Sequence, residues 1–327
     1  VVMQSERPPA PHSRRGRSRR WAAQPGRACK PAIVISSLAL LLLGGFFIYN
    51  MRTISAGTLL AARDFYGVLR VWERNRGHPQ LHAYQLTHGK TAHGFQFVAG
   101  DMHDLPTTYY AESSGVGLAL QNHPGRPGQL RVGGLGLGIG IIASYGQPGD
   151  VFRFYEINPH IVRLAQGEGG YFSYLADSLA NIQIVTGDAR VSLERELASA
   201  GPQGFDLLVL DAFSGDAVPL HLLTREAFEI YLKHLQPDGV VAINISNRYF
   251  DLSLPVYRLA GELGLGTALI EDRGDAIRSY DSVWMLLSRE RGFLEQPAIA
   301  ERSVRRPIPA SLPLWTDDFG NLLQVLR

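Results

Sequence analysis

The stretch "LRVGGLGLGIGIIASYG", Leu130 to Gly146, decides the fold. It opens as a short apolar strand, Leu130–Leu135, and then alternates glycines at Gly134, Gly136, Gly138 and Gly140. Glycine lacks Cβ, accepts positive φ and lets the backbone pass close to a bound ligand. By itself such a loop is a weak signal, because tight helix–sheet packing also selects glycine. The residues that follow give it meaning. Apolar strand candidates recur at Val151–Ile157, Ile182–Thr186, Phe205–Leu210, Val240–Ile245, Thr267–Ile270 and Val283–Leu287. Helical stretches such as "ARVSLERELAS" and "TREAFEIYLKHL" separate most of them. Strands alternating with helices imply βαβ units, hence an α/β fold with a largely parallel sheet. Only a short link joins the last two candidates, which suggests a final antiparallel strand.

In such a sheet, ligands bind outside the carboxyl ends of the strands. The second strand ends "FRFYEINP" and presents Glu156, placed where an acid can accept hydrogen bonds from ribose hydroxyls. The third ends "IVTGDAR" with Asp188, which can accept from an adenine amine and also reads as a helix N-cap. The fourth, "GFDLLVLDAFSGDAVP", stops on Asp211 and carries Asp216 five residues later. A glycine loop and then three acids, at successive strand ends, are hard to assign to capping alone. Asp216 also reads as a turn residue beside Gly215.

Working outward, "NHPGRPGQ" (Asn122–Gln129) reads as a linker. It separates a catalytic domain over 129–327 from a small β-rich domain over 60–128. Short strands are expected in "FYGVLRVWER" and "QLHAYQLTHGKTAHGFQF", and a helix in "TTYYAESSGVGLALQ" (Thr107–Gln121). Residues 32–50 are uncharged and apolar, at the lower limit for spanning a bilayer, and read as a transmembrane helix. Residues 1–31 form a basic tail. Eight of the 32 basic residues fall in the first 30 positions against the single acid Glu6, so the body is mildly acidic, which argues against a nucleic-acid surface on the folded part. The basic flank argues that the N-terminus stays in the cytoplasm and the body faces away. The chain opens Val-Val-Met, which allows for further helices upstream, and the catalytic domain is expected on the cytoplasmic side despite that flank. The lone cysteine, Cys29, excludes an intrachain disulfide.

The motifs "GLGIGIIASYG", "YEINP", "GDAR" and "LDAFSGDAVPLHLLTREAF" resemble those of spermidine synthase-like polyamine aminopropyltransferases. "ARDFYGVLRV" and "LWTDDFGNLL" are similar to the bacterial subgroup in which this domain is joined to membrane helices. The resemblance implies a methyltransferase-like seven-stranded sheet behind a small β domain. It implies S-adenosylmethionine or its decarboxylated form as co-substrate, without a metal, and a small-molecule amine as acceptor. By motif, Gly136, Gly138 and Gly140 would line the methionine-derived part, Glu156 the ribose and Asp188 the adenine. Asp211 would be the catalytic aspartate. The departures fall where the amine would bind. The family's paired aspartates stand three apart, against five here. Its Asp-Gly entry motif becomes "THGKTAHGFQ", with His88 and His93, and its Tyr-His-Glu reads Tyr110-Ala111-Glu112.

An alkylammonium has a pKa near ~10.4 and no lone pair while protonated. A carboxylate within hydrogen-bonding range can take that proton and hold the nitrogen on line. Asp211 is assigned this role and Tyr110 assists it. Gln96, His93, Glu112 and Asp216 are expected to meet the amine substrate. Asp317 and Asp318 could add charge or cap the helix-like "FGNLLQVL". His88, His93 and His103 lack the i, i+4 spacing of a helical zinc pair and read instead as a histidine-lined mouth. Methyl transfer is the nearest alternative, followed by a catalytically inactive membrane-tethered binding domain of the same fold. A nicotinamide dehydrogenase fits less well, because G-x-G-x-x-G would need glycine at Ile141. The sequence leaves the acceptor open and allows a homodimer.

Overall fold

The computed structural model describes residues 29–55, 57–89, 91–212, 219–306 and 312–327. The chain divides into two compact units, Val1–Ala56 and Gly57–Arg327. The described residues of the first form a helix, α1 (Cys29–Ser55). Its stretch Pro31–Thr53 is long and apolar enough to cross a membrane, and none of it is buried. Consecutive Leu40, Leu41, Leu42 and Leu43 are all exposed, so no polar face exists on that turn. A helix apolar all round requires apolar surroundings to be stable.

The second unit begins with an antiparallel sheet of four strands in sequential order: β1 (Thr58–Asp64), β2 (Gly67–Arg74), β3 (Ala83–His88) and β4 (Thr91–Phe97). The β3–β4 hairpin carries a bulge. Leu86 pairs with Gly94 and Thr87 with Ala92, leaving His93 as the extra residue. Bulges of this kind re-aim a side chain. Gly94 has φ of 124°, which favours glycine, and a Cβ there would lie 2.7 Å from the Ile141 side chain, so the strand packs closely against the segment Ile139–Ile141.

The helix expected from Thr107 starts only at Gly115, as α2 (Gly115–Asn122), with Ser114 capping the Gly117 N–H. The preceding residues are held by long-range bonds instead: Thr108 N–H donates to Arg278 O (2.8 Å) and Tyr280 N–H to Thr108 O (3.1 Å). Tertiary pairing overrides helix propensity there and leaves Tyr109 and Tyr110 free to turn inward. α2 does not belong with the front sheet. It packs on the main sheet, with Gly115 seated against the fully buried Trp284. The Pro/Gly stretch 122–129 is thus a turn within the unit.

The main sheet follows: β5 (Arg131–Leu135), β6 (Val151–Glu156), α3 (Pro159–Ala165), α4 (Tyr174–Asp177), β7 (Asn181–Thr186), α5 (Ala189–Ser199) and β8 (Phe205–Leu210). After these come α6 (Arg225–His234), β9 (Leu235–Asn244), α7 (Ser253–Glu262), β10 (Gly266–Asp272), β11 (Ser282–Ser288) and the two-residue β12 (Ser303–Val304). The order is β12-β10-β11-β9-β8-β5-β6-β7. Strands β5 to β9 pair in parallel, and β11 runs antiparallel to both β9 and β10. All seven expected strands are present, including the final antiparallel one. The eighth, β12, adds an edge through Leu269 and Ile270 and is too short to carry a periodic signal.

Alternation along the strands feeds two core layers. Val132, Phe152, Phe154, Leu207 and Val209 lie in one with Val116 and Ala119 of α2. Leu135, Tyr155, Leu208 and Leu210 lie in the other with Leu193 of α5, Phe228 of α6 and Val256 of α7. The central strands are therefore apolar on both faces, which explains their unbroken hydrophobic runs. Strand order reverses at β5, which has β6 on one side and β8 on the other. A crevice is expected outside the carboxyl ends at that point.

Candidate active site

A cavity of about 220 Å³ occupies that crevice. Gly136, Gly138, Glu156, Asp188 and Asp211 all line it, from the ends of four different strands. β5 and β8 are pinned together at its floor, where Asp211 N–H donates to Leu135 O at 2.9 Å. Gly136 follows with φ of 95°, and a Cβ there would lie 2.3 Å from the Asp211 carbonyl oxygen. No other residue fits without moving the end of β8.

Glu156 is buried, and both of its oxygens are held by backbone: Leu137 N–H donates to Oε2 (3.0 Å) and Asn158 N–H to Oε1 (2.8 Å). Burial pushes its pKa up against these donors. Each oxygen keeps a second lone pair for a ligand hydroxyl. Asp188 is the helix cap that its sequence offered, and it also lines the cavity. It caps α5 by accepting from Val191 N–H (2.9 Å), and its other oxygen lies 3.1 Å from His221 Nε2.

Asp211 accepts from the Tyr110 hydroxyl on Oδ2 and from Asn244 Nδ2 on Oδ1 (2.9 Å). Asn244 is itself fixed, since its Oδ1 accepts from Ser246 N–H at 3.0 Å. Burial raises the Asp211 pKa to about 6, against the opposing effect of those two donors. Tyr110 is clamped on both sides: Tyr145 OH donates to its carbonyl (2.6 Å), and Trp284 Nε1–H donates to the Tyr109 carbonyl (3.0 Å). Burial, followed by the Asp211 charge, pushes the Tyr110 phenol well above its ordinary value, so it stays a donor.

Asp211 and His93 also line a second, larger groove of about 1080 Å³ that extends over the ends of β9 and β10. The two spaces share this wall. His93 Nε2 is buried without a partner, and burial, aided by His88, brings its pKa down to about 4. His88 donates from Nε2 to Tyr66 O at 2.6 Å, with its ring 5.6 Å from that of His93. Three carboxylates and no lysine or arginine line the smaller cavity among the described residues.

No protein-family model matches the chain. It is 29% identical over 151 residues to the polyamine aminopropyltransferase of Vibrio vulnificus, covering 46% of this chain and 48% of that one. It is 32% identical over 120 residues to an N-terminal histidine N-methyltransferase of Emericella nidulans, covering 37% and 20%. The chain thus spans about half, or less, of the curated relatives it matches. Among solved structures, a probable spermidine synthase from Corynebacterium glutamicum superposes with a TM-score of 0.56 at 17% identity, over 75% of this chain and 84% of that chain. The fold is spermidine synthase-like.

Within this spermidine synthase-like frame, other expected residues take different places. Gly140 precedes the turn Ile141–Tyr145 beside Leu175 and is not among the residues lining the cavity. Gln96 is buried and clamps the segment before α4: it donates to Ser173 Oγ (3.0 Å) and accepts from Ser173 N–H (2.8 Å). It reaches neither space. Glu112 is a correction too, because the chain turns outward between Tyr110 and the Ser114 cap. This leaves it exposed in a separate surface hollow with Asp275 and Arg278. Asp216 lies outside the described residues. His103 stands apart from the other two histidines, with Nδ1 on Phe97 O (2.8 Å) and Nε2 at 2.8 Å from Ser173 Oγ. Asp317 does not cap and lines neither space; it sits in a neighbouring hollow with Asp188 and His221, pairs bidentately with Arg190 at 2.7 and 2.6 Å, and Asn321 supplies the cap instead.

Sequence reasoning missed Asn244, Tyr109 and His221. Asn244 was findable, because it ends the apolar run "VVAIN" just as Asp211 ends "LLVL". His221 and Tyr109 lie in irregular segments with no periodic signal to place them.

Proposed function

We propose that this chain is a transferase that moves an aminopropyl group from decarboxylated S-adenosylmethionine to an amine. The convergence of Gly136, Gly138, Glu156, Asp188 and Asp211 on one cavity carries this reading. Glu156 receives the ribose hydroxyls and Asp188 the adenine amine. Asp211, on the wall shared with the larger groove, holds the acceptor nitrogen on line with the carbon bound to sulfur. As the nitrogen–carbon bond forms, the carbon–sulfur pair leaves with sulfur as a neutral thioether. The amine proton passes to Asp211. Tyr110 and Asn244 keep the carboxylate aimed, and neutral His93 offers its unpartnered nitrogen to the acceptor.

The lining also supports the choice of donor. A methionine carboxylate would enter a space with three acids and no arginine or lysine among the described residues, which favours the decarboxylated form. Methyl transfer is the second reading, favoured by the similarity to an N-methyltransferase. Calorimetry with both donors separates them: the decarboxylated form is expected to bind at least ~10-fold more tightly, the effect of about 1.4 kcal/mol of charge repulsion. Tight binding of the carboxylated form alone would sink the aminopropyl reading. We also propose that α1 anchors the chain in a bilayer, with the active site on the cytoplasmic side. Digestion of the domain by protease added outside intact cells would contradict that orientation.

A further inference from the structure

The larger groove carries charges of both signs. It runs along one edge of the main sheet, over the carboxyl ends of β8, β9 and β10 and the start of β11, with Asp211 and Asn244 at its cavity end. Three arginines line it: Arg248 in the segment after β9, Arg273 directly after β10, and Arg327. None of their guanidinium groups has a carboxylate or hydrogen-bond partner among the described residues.

The acids of the same groove are differently placed. Glu271 is paired with Arg306, Asp272 accepts from Ser113 Oγ (2.8 Å), and Asp281 accepts from Gly274 N–H (3.1 Å). Beside Asp211, the groove therefore holds one carboxylate paired with an arginine, two that each accept a single neutral hydrogen bond, and three guanidinium groups with no partner among the described residues. A site for a di- or polyamine alone would have no use for unpaired guanidinium groups beside its carboxylates. Guanidinium is a planar fork suited to carboxylate or phosphate oxygens.

Resting on the transfer reading above, we propose that the acceptor is an amine that also carries an anionic group. Its nitrogen sits at Asp211 and its carboxylate or phosphate is received by Arg248 and Arg273. The same residues explain why the amine-binding motifs depart from those of polyamine enzymes. Glu112 faces away and His93, a neutral ring, stands at the wall where a polycation would call for acid.

The test uses matched acceptors that differ only in the anion: ornithine against putrescine, and phosphoethanolamine against ethanolamine. Binding is measured by calorimetry on the full chain saturated with 5′-methylthioadenosine, and transfer with decarboxylated S-adenosylmethionine. At least one anionic member is expected to bind about tenfold or more tightly than its partner, as charge-assisted hydrogen bonds would give. The ornithine and phosphoethanolamine arms tell carboxylate from phosphate. Arg248→Gln with Arg273→Gln should remove that preference while leaving methylthioadenosine affinity unchanged. Equal binding, preference for putrescine, or binding of none of the four would overturn the inference. Failure of methylthioadenosine itself to bind would instead overturn the transfer reading. Both substitutions are on exposed side chains, and an unchanged melting temperature shows that the variant is folded.

Discussion

The two halves of the main sheet's carboxyl edge are built differently. Over β5, β6 and β7 the site is made of backbone and short acids within two residues of a strand end, and its charges have one sign. Over β8 to β11 it combines strand-end groups with an inward-turned segment, a bulged histidine and arginines of opposite charge. In the proposed reading the first half is a mould for a nucleoside. The second is an assembly whose parts come from residues 93, 109–110, 211, 244–248 and 271–283. A nucleoside is common to many transfer reactions, so its mould can be local and repeatable. The proposed acceptor is particular, and the groove that would receive it draws on residues from the whole unit.

Substitutions on each side sharpen this division. The largest effect is expected from Asp211→Asn, on the acceptor side of the shared wall. Turnover should fall by about 10²–10⁴, the usual contribution of a general base, with methylthioadenosine affinity retained. A loss of nucleoside binding equal to the loss of turnover would merge the two halves. Next is Gly136→Val on the nucleoside side. With positive φ and a Cβ 2.3 Å from the Asp211 carbonyl, it should cost about 2–4 kcal/mol of stability and abolish nucleoside binding, read by thermal melting and calorimetry.

Asp211 also links the site to pH. Its pKa rises from 3.8 unfolded to about 6 folded, so the folded chain holds the proton more tightly. That contribution to stability is full below about pH 4 and is lost as pH rises through 6. Asp211→Asn should therefore stabilise the fold by on the order of 2–3 kcal/mol at pH 8 and by nothing measurable at pH 4. Wild-type activity should rise with pH through about 6 as the carboxylate forms. Asn244→Ala removes a donor that favours the charged form, so this acidic limb should shift to higher pH, with kcat about tenfold lower. A purely structural asparagine would lower kcat without moving the limb. The smallest effect is expected from Glu156→Gln, about three- to tenfold in nucleoside affinity with the acceptor preference unchanged.

The same division governs how much could be read before the structure was seen. Glu156, Asp188 and Asp211 were legible because strand periodicity places the residue just past each apolar run at the crevice. Gly136 and Gly138 were legible because close approach demands glycine. Applied to the fifth strand, that rule would also have given Asn244. Gln96 and Glu112 were misplaced because their positions depend on where α2 begins and on what β4 packs against, and neither is encoded locally. The bulge at His93 arises from the pairing of Leu86 with Gly94, a register that only the assembled sheet reveals. The pairing of Asp317 with Arg190 spans 127 residues and has no local signature.

The most direct test of the central claim is the structure of the complex with decarboxylated S-adenosylmethionine. The account predicts ribose hydroxyls on Glu156, the adenine amine at Asp188 and the propyl carbon facing Asp211 across the wall shared with the arginine-bearing groove. A nucleoside lodged elsewhere, or one whose sulfonium points away from Asp211, would contradict it.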